Sequence, residues 1–360
     1  MPTETIEGGP NEQVDALSTL IRAILQNASG QTEVNELIVN RLLLIEEQVK
    51  TLSGLPWTIL KEEVDELRRR VDAHSNALER KEASGGSGLW VGDPTQESSM
   101  LRSQLCTEEQ FRTSWHRKWI GKLGLTPRLH RKAWELCYIP QAFHERSMLG
   151  PGKRGLGFAV GSEPLPALFA RLGCSILATD QERDAAETSG WVATNQHADS
   201  LASLNRSGIC PSEDFERLVC FLPVDMNQIP PGLTGFDFLW SCCSFEHLGS
   251  IELGKRFVVN AMECLRPGGI AVHTTEFNVS SNTDTVDHSG TVIYRRQDIQ
   301  ALADELTSLG HEVAPLDFNS GKGFADHYVD LPPYKQDIHL KLELAGYVTT
   351  SIGLIIRKGE

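Results

Sequence analysis

The sequence predicts an α/β fold: a mostly parallel sheet of seven strands with helices on both faces, preceded by an α-helical coiled-coil region. Three observations carry this. Residues 153 to 358 alternate short apolar runs with helical periods, which implies parallel strands joined by helices on both sides. The stretch "KRGLGFAVGSEPLPALFARLGCSILATDQ", 153–181, reads as strand, tight turn, helix and a second strand ending in Asp180, the outline of a nucleotide-binding βαβ unit. Composition also shifts near residue 83, before which aromatic residues are nearly absent and a helical period dominates.

Residues 1–11 are polar and acidic and read as a disordered N-terminus without a signal-peptide profile. Residues 12–82 read as helical. Trp57, Leu60, Val64, Leu67, Val71, His74 and Leu78 alternate spacings of three and four, an a/d seam. A stripe that narrow must pack on another helix. The partner is a second copy, giving a dimer or trimer, or the neighbouring segments folded back as a bundle. Self-association is the favoured alternative. Residues 83–106, opening with "EASGGSG", read as a linker. Residues 107–149 read as two helices bridging to the sheet, the first opening at Thr107 and Gln110 in capping-box spacing. Arg112, His116, Arg117, Lys118, Lys122, Arg128, His130, Arg131 and Lys132 make this segment basic. It suits an anionic ligand, or acidic surface elsewhere in the chain.

In the domain at 150–360, the strands are "RGLGFAV", "SILATD", "ERLVCFLPVD", "FDFLWSCCS", "GGIAVHTTEF", "HEVAPLDF" and "AGYVTTSIGLIIRK". No clear helix separates the last two, so one of them runs antiparallel. The chain of 360 residues carries a net charge of −14, which argues against nucleic acid as partner. It has no apolar run of ~20 residues that would span a membrane. Its eight cysteines are scattered without a CxxC pair, which points to reduced thiols, a cytoplasmic location and no zinc site. Cys174 and Cys220 sit in apolar contexts and read as buried.

The turn after the first strand decides the cofactor. A dinucleotide needs its pyrophosphate against the turn and the following helix. Here Glu163 fills that position with a carboxylate, and Pro164 and Pro166 remove backbone donors. A ligand without phosphate and with a positive centre fits better, and S-adenosylmethionine is one. Asp180 is placed to accept hydrogen bonds from its ribose hydroxyls.

The order of "GFAVGSE", "ATD", "VDMNQIP", "FDFLWSCCSFEHLGS" and "AMECLRPGGIAVHTTEFN" resembles a class I S-adenosylmethionine-dependent methyltransferase with a Rossmann-like sheet, over residues 149–358. The resemblance implies that Phe158, Ala159, Val160 and Gly161 face the methionine part of the cofactor. It implies that Asp180 holds the ribose, that Asp225 and Met226 sit at the adenine, and that Cys242 and Cys243 open the floor. The chain departs from the pattern at Gly157, Ala159 and Glu163. The acid missing at Gly157 removes a contact to the cofactor's amino group, which Glu163 would have to replace.

An oxygen acceptor needs a base, and a positioned histidine serves near neutral pH. His247 and Glu246, just past the fourth strand, and His288, in the loop "NVSSNTDTVDHSGTVIYRR", are the candidates. Glu276 and His273 on the fifth strand point to opposite faces. The Asn, Ser and Thr content of that loop suggests a polar, hydroxyl-rich acceptor, first a sugar or surface glycan and second another small metabolite. The resemblance extends to methyltransferases that work beside glycan-assembly enzymes, which would make such an enzyme a partner. A catalytically inactive coiled-coil scaffold is the reading from another class.

Overall fold

The computed structural model describes residues 100–182, 201–205, 208–288 and 290–360. The chain divides into two compact units, 1–97 and 98–360, and the described residues belong to the second. The coiled coil expected at 12–82 lies outside the described residues.

The strands are β1 (Ser103–Leu105), β2 (Leu129–His130), β3 (Arg154–Phe158), β4 (Ser175–Asp180), β5 (Val219–Pro223), β6 (Phe236–Cys242), β7 (Leu265–Asn278), β8 (Glu312–Val313), β9 (Leu316–Asp317), β10 (Val329–Asp330), β11 (Ile338–His339), β12 (Lys341–Leu344) and β13 (Tyr347–Arg357). The helices are α1 (Ser114–Leu123), α2 (Arg131–Glu145), α3 (Leu165–Arg171), α4 (Ser212–Leu218), α5 (Ile251–Ala261), α6 (Arg296–Ser308) and α7 (Phe324–His327).

Five strands run parallel in the order β5-β4-β3-β6-β7. β13 closes on β7 antiparallel, from Thr349 opposite Asn278 to Arg357 opposite Ile270. The parallel body and the reversed last strand are as expected from the sequence; the strand count is not. Among the described residues the sheet has eleven strands, because β12, β1 and β8 share the far edge of β13 in turn. "HEVAPLDF" is broken by Pro315 into β8 and β9, which pair with different strands. β1 falls inside the stretch read as linker, because its pairing with β13 and β9 is invisible locally. α1 starts at Ser114, not near Thr107: Thr113 caps it, accepting from the His116 amide at 3.3 Å.

Residues alternate between two cores, one on each face. Phe238, Trp240, Ile270, Val272 and Ile355 meet Trp119, Trp134, Phe169 and Phe215 from α1 to α4. Leu239, Ala271, Leu354 and Ile356 meet Phe257 of α5 and Leu302 of α6. Burying each large side chain contributes about 1.5–3 kcal/mol. Cys174 is buried as expected, whereas Cys220 is exposed because β5 is the edge strand.

Three histidines are neutral parts of this packing. Burial lowers His273 to about 3 and, with neighbouring positive charge, His116 and His130 to about 4. In the unfolded chain each binds a proton near pH ~6.5. Between those values the unfolded state holds more protons, so stability is lost as pH falls from about 6.5 toward 4. The expected result is a urea midpoint that drops over this range, with a smaller drop in His273→Phe. An unchanged slope in the variant would count against it.

Candidate active site

The chain order of the parallel strands reverses at β3, which lies between β4 and β6. A crevice at the carboxyl ends of such strands is where ligands bind. A cavity of about 400 Å³ opens there, lined by residues of the loop after β3, the ends of β4 and β6, and the start of α2. That is the size of a small-molecule site.

The loop after β3 is held from within. The Val160 amide donates to the Thr179 carbonyl at 3.0 Å, and the Glu163 amide to the Val160 carbonyl at 3.1 Å. The Gly161 amide donates to Asp180 Oδ2 at 3.0 Å, and the Gln181 amide to Asp180 Oδ1 at 2.8 Å. Asp180 is buried, so these two bonds fix its carboxylate at the cavity wall. Ala159 at φ +47° and Cys243 at φ +49° hold non-glycine residues in the left-handed region on either side of the cavity. Such strain concentrates at functional sites.

Burial pushes the Glu163 carboxyl up to about 8, against the opposing pull of its hydrogen bond from Trp240. It is therefore largely protonated near neutral pH, which weakens charge repulsion as the reason a pyrophosphate is disfavoured. The stronger reason is that the amides of Val160 and Gly161 are spent on β4 and that of Glu163 within the loop, and Pro164 has none.

The opposite wall is α2. Its first turn carries Arg131, Lys132 and Glu135 onto β6, β7 and β13. Glu135 is fully buried and pairs with Lys132 at 2.5 Å. It also accepts from Cys243 at 3.1 Å, from Cys242 at 3.4 Å and from the Ser351 hydroxyl. Burial alone would raise Glu135, but Lys132 and Arg131 outweigh it and hold the carboxyl at about 2. Arg131 pairs with Glu276, whose Oε1 is buried without a hydrogen-bond partner. Arg112, Arg131 and Lys132 of the basic segment are thus paired with acids within the fold, and Lys132 is the one that lines the cavity.

Of the residues expected at the site, Ala159, Val160, Gly161, Glu163, Asp180, Met226, Cys242, Cys243 and His247 line the cavity. Four do not. Phe158 points to the other face, where its ring meets Phe257 at 5.1 Å. Asp225 turns outward and accepts from the Asn227 amide at 2.8 Å and the Gln228 side chain at 3.1 Å. Glu246 is buried and accepts from Thr275 at 3.0 Å, with burial raising its carboxyl above the usual range. The His288 side chain is 81% exposed on its loop. Lys132, Leu136, Ser162, Pro164, Gln181, Val224, Ser244 and Leu248 complete the lining; Ser244 continues the floor expected from Cys242 onward, whereas Lys132, Leu136, Val224 and Leu248 were not assigned to the site from the sequence. Among the described residues, no group of three His, Cys, Asp or Glu side chains is arranged to hold a metal ion.

His247 is bound through Nδ1 to the Gly290 carbonyl at 2.8 Å. A carbonyl only accepts, so in the neutral ring Nδ1 carries the hydrogen and Nε2 the basic lone pair. The loop after β7 is pinned here as well: the Val292 amide donates to the Glu246 carbonyl and the Ile251 amide to Asp287.

No family model and no curated protein matches the chain. Similar solved structures include the cyclase SpnF, 17% identical over 72% of this chain and 99% of that one, with a TM-score of 0.42. A S-adenosylmethionine-dependent methyltransferase from Clostridium acetobutylicum is 12% identical over 70% of this chain and 95% of that one, with a TM-score of 0.37. The glycopeptide N-methyltransferase MtfA is 13% identical over 64% of this chain and 97% of that one, with a TM-score of 0.39. At such identities and scores, function has to be argued from the cavity itself.

Proposed function

We propose that the chain is an S-adenosylmethionine-dependent methyltransferase that acts on a hydroxyl of a polar acceptor, a sugar or surface glycan first and another small metabolite second. The observation that carries this is the cavity wall: two carboxyl groups, Asp180 at the end of β4 and Glu163 on the loop after β3, beside Val160, Gly161 and Glu163 amides that are already used. That wall suits an adenosine ligand with a cationic centre and no phosphate. The group, when bound, supplies an activated methyl on a sulfonium.

The chain's own residues do the rest. Asp180, its carboxylate fixed by the Gly161 and Gln181 amides, accepts the ribose hydroxyls. Val224, Met226 and Leu248 give the adenine an apolar bed. Cys242, Cys243 and Ser244 close the floor, and the Lys132–Glu135 pair keeps α2 against it. Alignment supplies most of the rate in an in-line transfer. His247 takes the acceptor proton on Nε2. Glu276 Oε1 and the polar loop after β7 support a hydroxyl-bearing acceptor. Residues 12–82 associate copies of the chain into a dimer or trimer, and a glycan-assembly enzyme is the partner this reading favours.

The test is transfer of a labelled methyl group from the cofactor to a panel of sugars and glycans. His247→Ala is expected to lower kcat by about 100-fold or more, the range of a positioned base, with cofactor affinity unchanged. Unaltered kcat would remove His247 from the reaction.

A further inference from the structure

Gly157 in β3 has no room for a side chain. A Cβ there would lie 2.4 Å from Trp240 Cζ2 and 2.6 Å from Val160 Cγ1. The end of this strand therefore offers the cavity no polar group. Trp240, on the neighbouring β6, fills that space and is fully buried. A buried indole N–H needs an acceptor. It finds one in Glu163 Oε1 at 2.6 Å. The indole thus blocks the strand and fixes a carboxyl on the loop beside it.

The groups facing Glu163 are few. From β6 come the neutral Trp240 donor and the Cys242 thiol, and from α2 come Lys132 and Glu135, already paired with each other. Asp180 of β4 shares the cavity but is held by two backbone amides. Glu163 is a cavity-lining carboxyl with no cation of its own, and a bound ammonium would supply one.

We propose that Glu163, positioned by Trp240, binds the α-amino group of the cofactor's amino-acid end, and that binding expels a proton from the protein. This rests on the cofactor reading above. The step balances: the neutral carboxyl and the ligand's ammonium become a carboxylate–ammonium pair and one proton released to solvent. The free carboxyl, pushed up to about 8 by burial, is largely protonated at pH 7, and the ammonium draws it into the ionised form. At pH 7 the release approaches about one proton per site.

The test uses two probes. S-adenosylhomocysteine keeps the α-amino group and lacks the sulfonium, so its ammonium is its only cation. 5′-Methylthioadenosine lacks the amino-acid end. Both are titrated calorimetrically at pH 7 into the full chain, wild type and Glu163→Gln, in two buffers of different ionisation enthalpy. Glu163→Gln is expected to weaken S-adenosylhomocysteine about 10- to 100-fold, the worth of a charge-assisted hydrogen bond, and to leave 5′-methylthioadenosine within about threefold. Proton release with S-adenosylhomocysteine is expected in wild type and lost in the variant. Equal weakening of both probes, unchanged S-adenosylhomocysteine affinity, or binding without proton release in wild type would overturn the proposal while leaving the cofactor reading intact. Failure of wild type to bind either probe would overturn both. The wild-type proton count does not depend on any variant folding.

Discussion

Asp180→Ala is expected to abolish useful S-adenosylmethionine binding, with affinity falling by about 100-fold or more. Two losses add. The carboxylate no longer meets the ribose hydroxyls, and each charge-assisted hydrogen bond is worth about 1.5–3 kcal/mol. The loop after β3 also loses its anchor, because Asp180 Oδ2 holds the Gly161 amide at 3.0 Å while Gly161 sits at φ +51°. Asp180→Asn separates the two contributions. Its amide oxygen can still receive the Gly161 hydrogen, but the charge at the ribose is gone, so its affinity is expected between those of wild type and Asp180→Ala. Calorimetry reads all three. Wild-type affinity in Asp180→Ala would contradict the placement of the ribose.

The largest effect on stability is expected at Glu135. Removing one member of a buried ion pair costs about 3–5 kcal/mol. Part of the Lys132 side chain, 45% of it, is exposed, so water recovers some of that cost. Glu135→Ala is expected to lose about 2–4 kcal/mol, a fall in Tm of about 5–10 °C for a domain of this size. Glu135→Gln keeps an acceptor for Ser351 and the two thiols without a charge for Lys132, and falls between. A Tm within about 2 °C of wild type in Glu135→Ala would show that the pair does not hold α2 in place.

The sheet was legible where an apolar run is long and bounded. "SILATD" becomes β4 with its acid at the strand end, and "GGIAVHTTEF" lies inside β7 with His273 and Glu276 on opposite faces as expected. Strands of two or three residues, such as β1, β2, β8, β9, β10 and β11, have no period to read, and only their partners define them. α4 was missed because "ERL" runs into the apolar strand behind it; the helix ends at Leu218 and β5 begins at Val219. The hairpin between β12 and β13 turns on Ala345 at φ +51° and Gly346 at φ +87°, and positive φ at both is the twist a two-residue turn requires.

The site was half legible for a similar reason. Positions on the loop after β3 follow from where a nucleotide-binding unit turns. Phe158 was misplaced because it is the last residue of its strand and faces the second core, one residue before the turn. Asp225 was misplaced because a short carboxylate followed by Asn227 and Gln228 closes its own turn. Lys132 was counted with a basic surface. The available signal was Glu135, an acid three residues on and the one charged residue in a buried stretch from Ala133 to Phe143. An acid embedded in such a run needs a partner, and the lysine one turn earlier is at the right spacing.

The most direct test of the central claim is a calorimetric titration of the wild-type chain with S-adenosylmethionine and, separately, with NAD. The account predicts saturable one-site binding of S-adenosylmethionine at micromolar concentrations and none of NAD, because the Val160, Gly161 and Glu163 amides already donate within the fold and Pro164 has no amide to give a pyrophosphate. Binding of NAD, or of neither ligand, would contradict it.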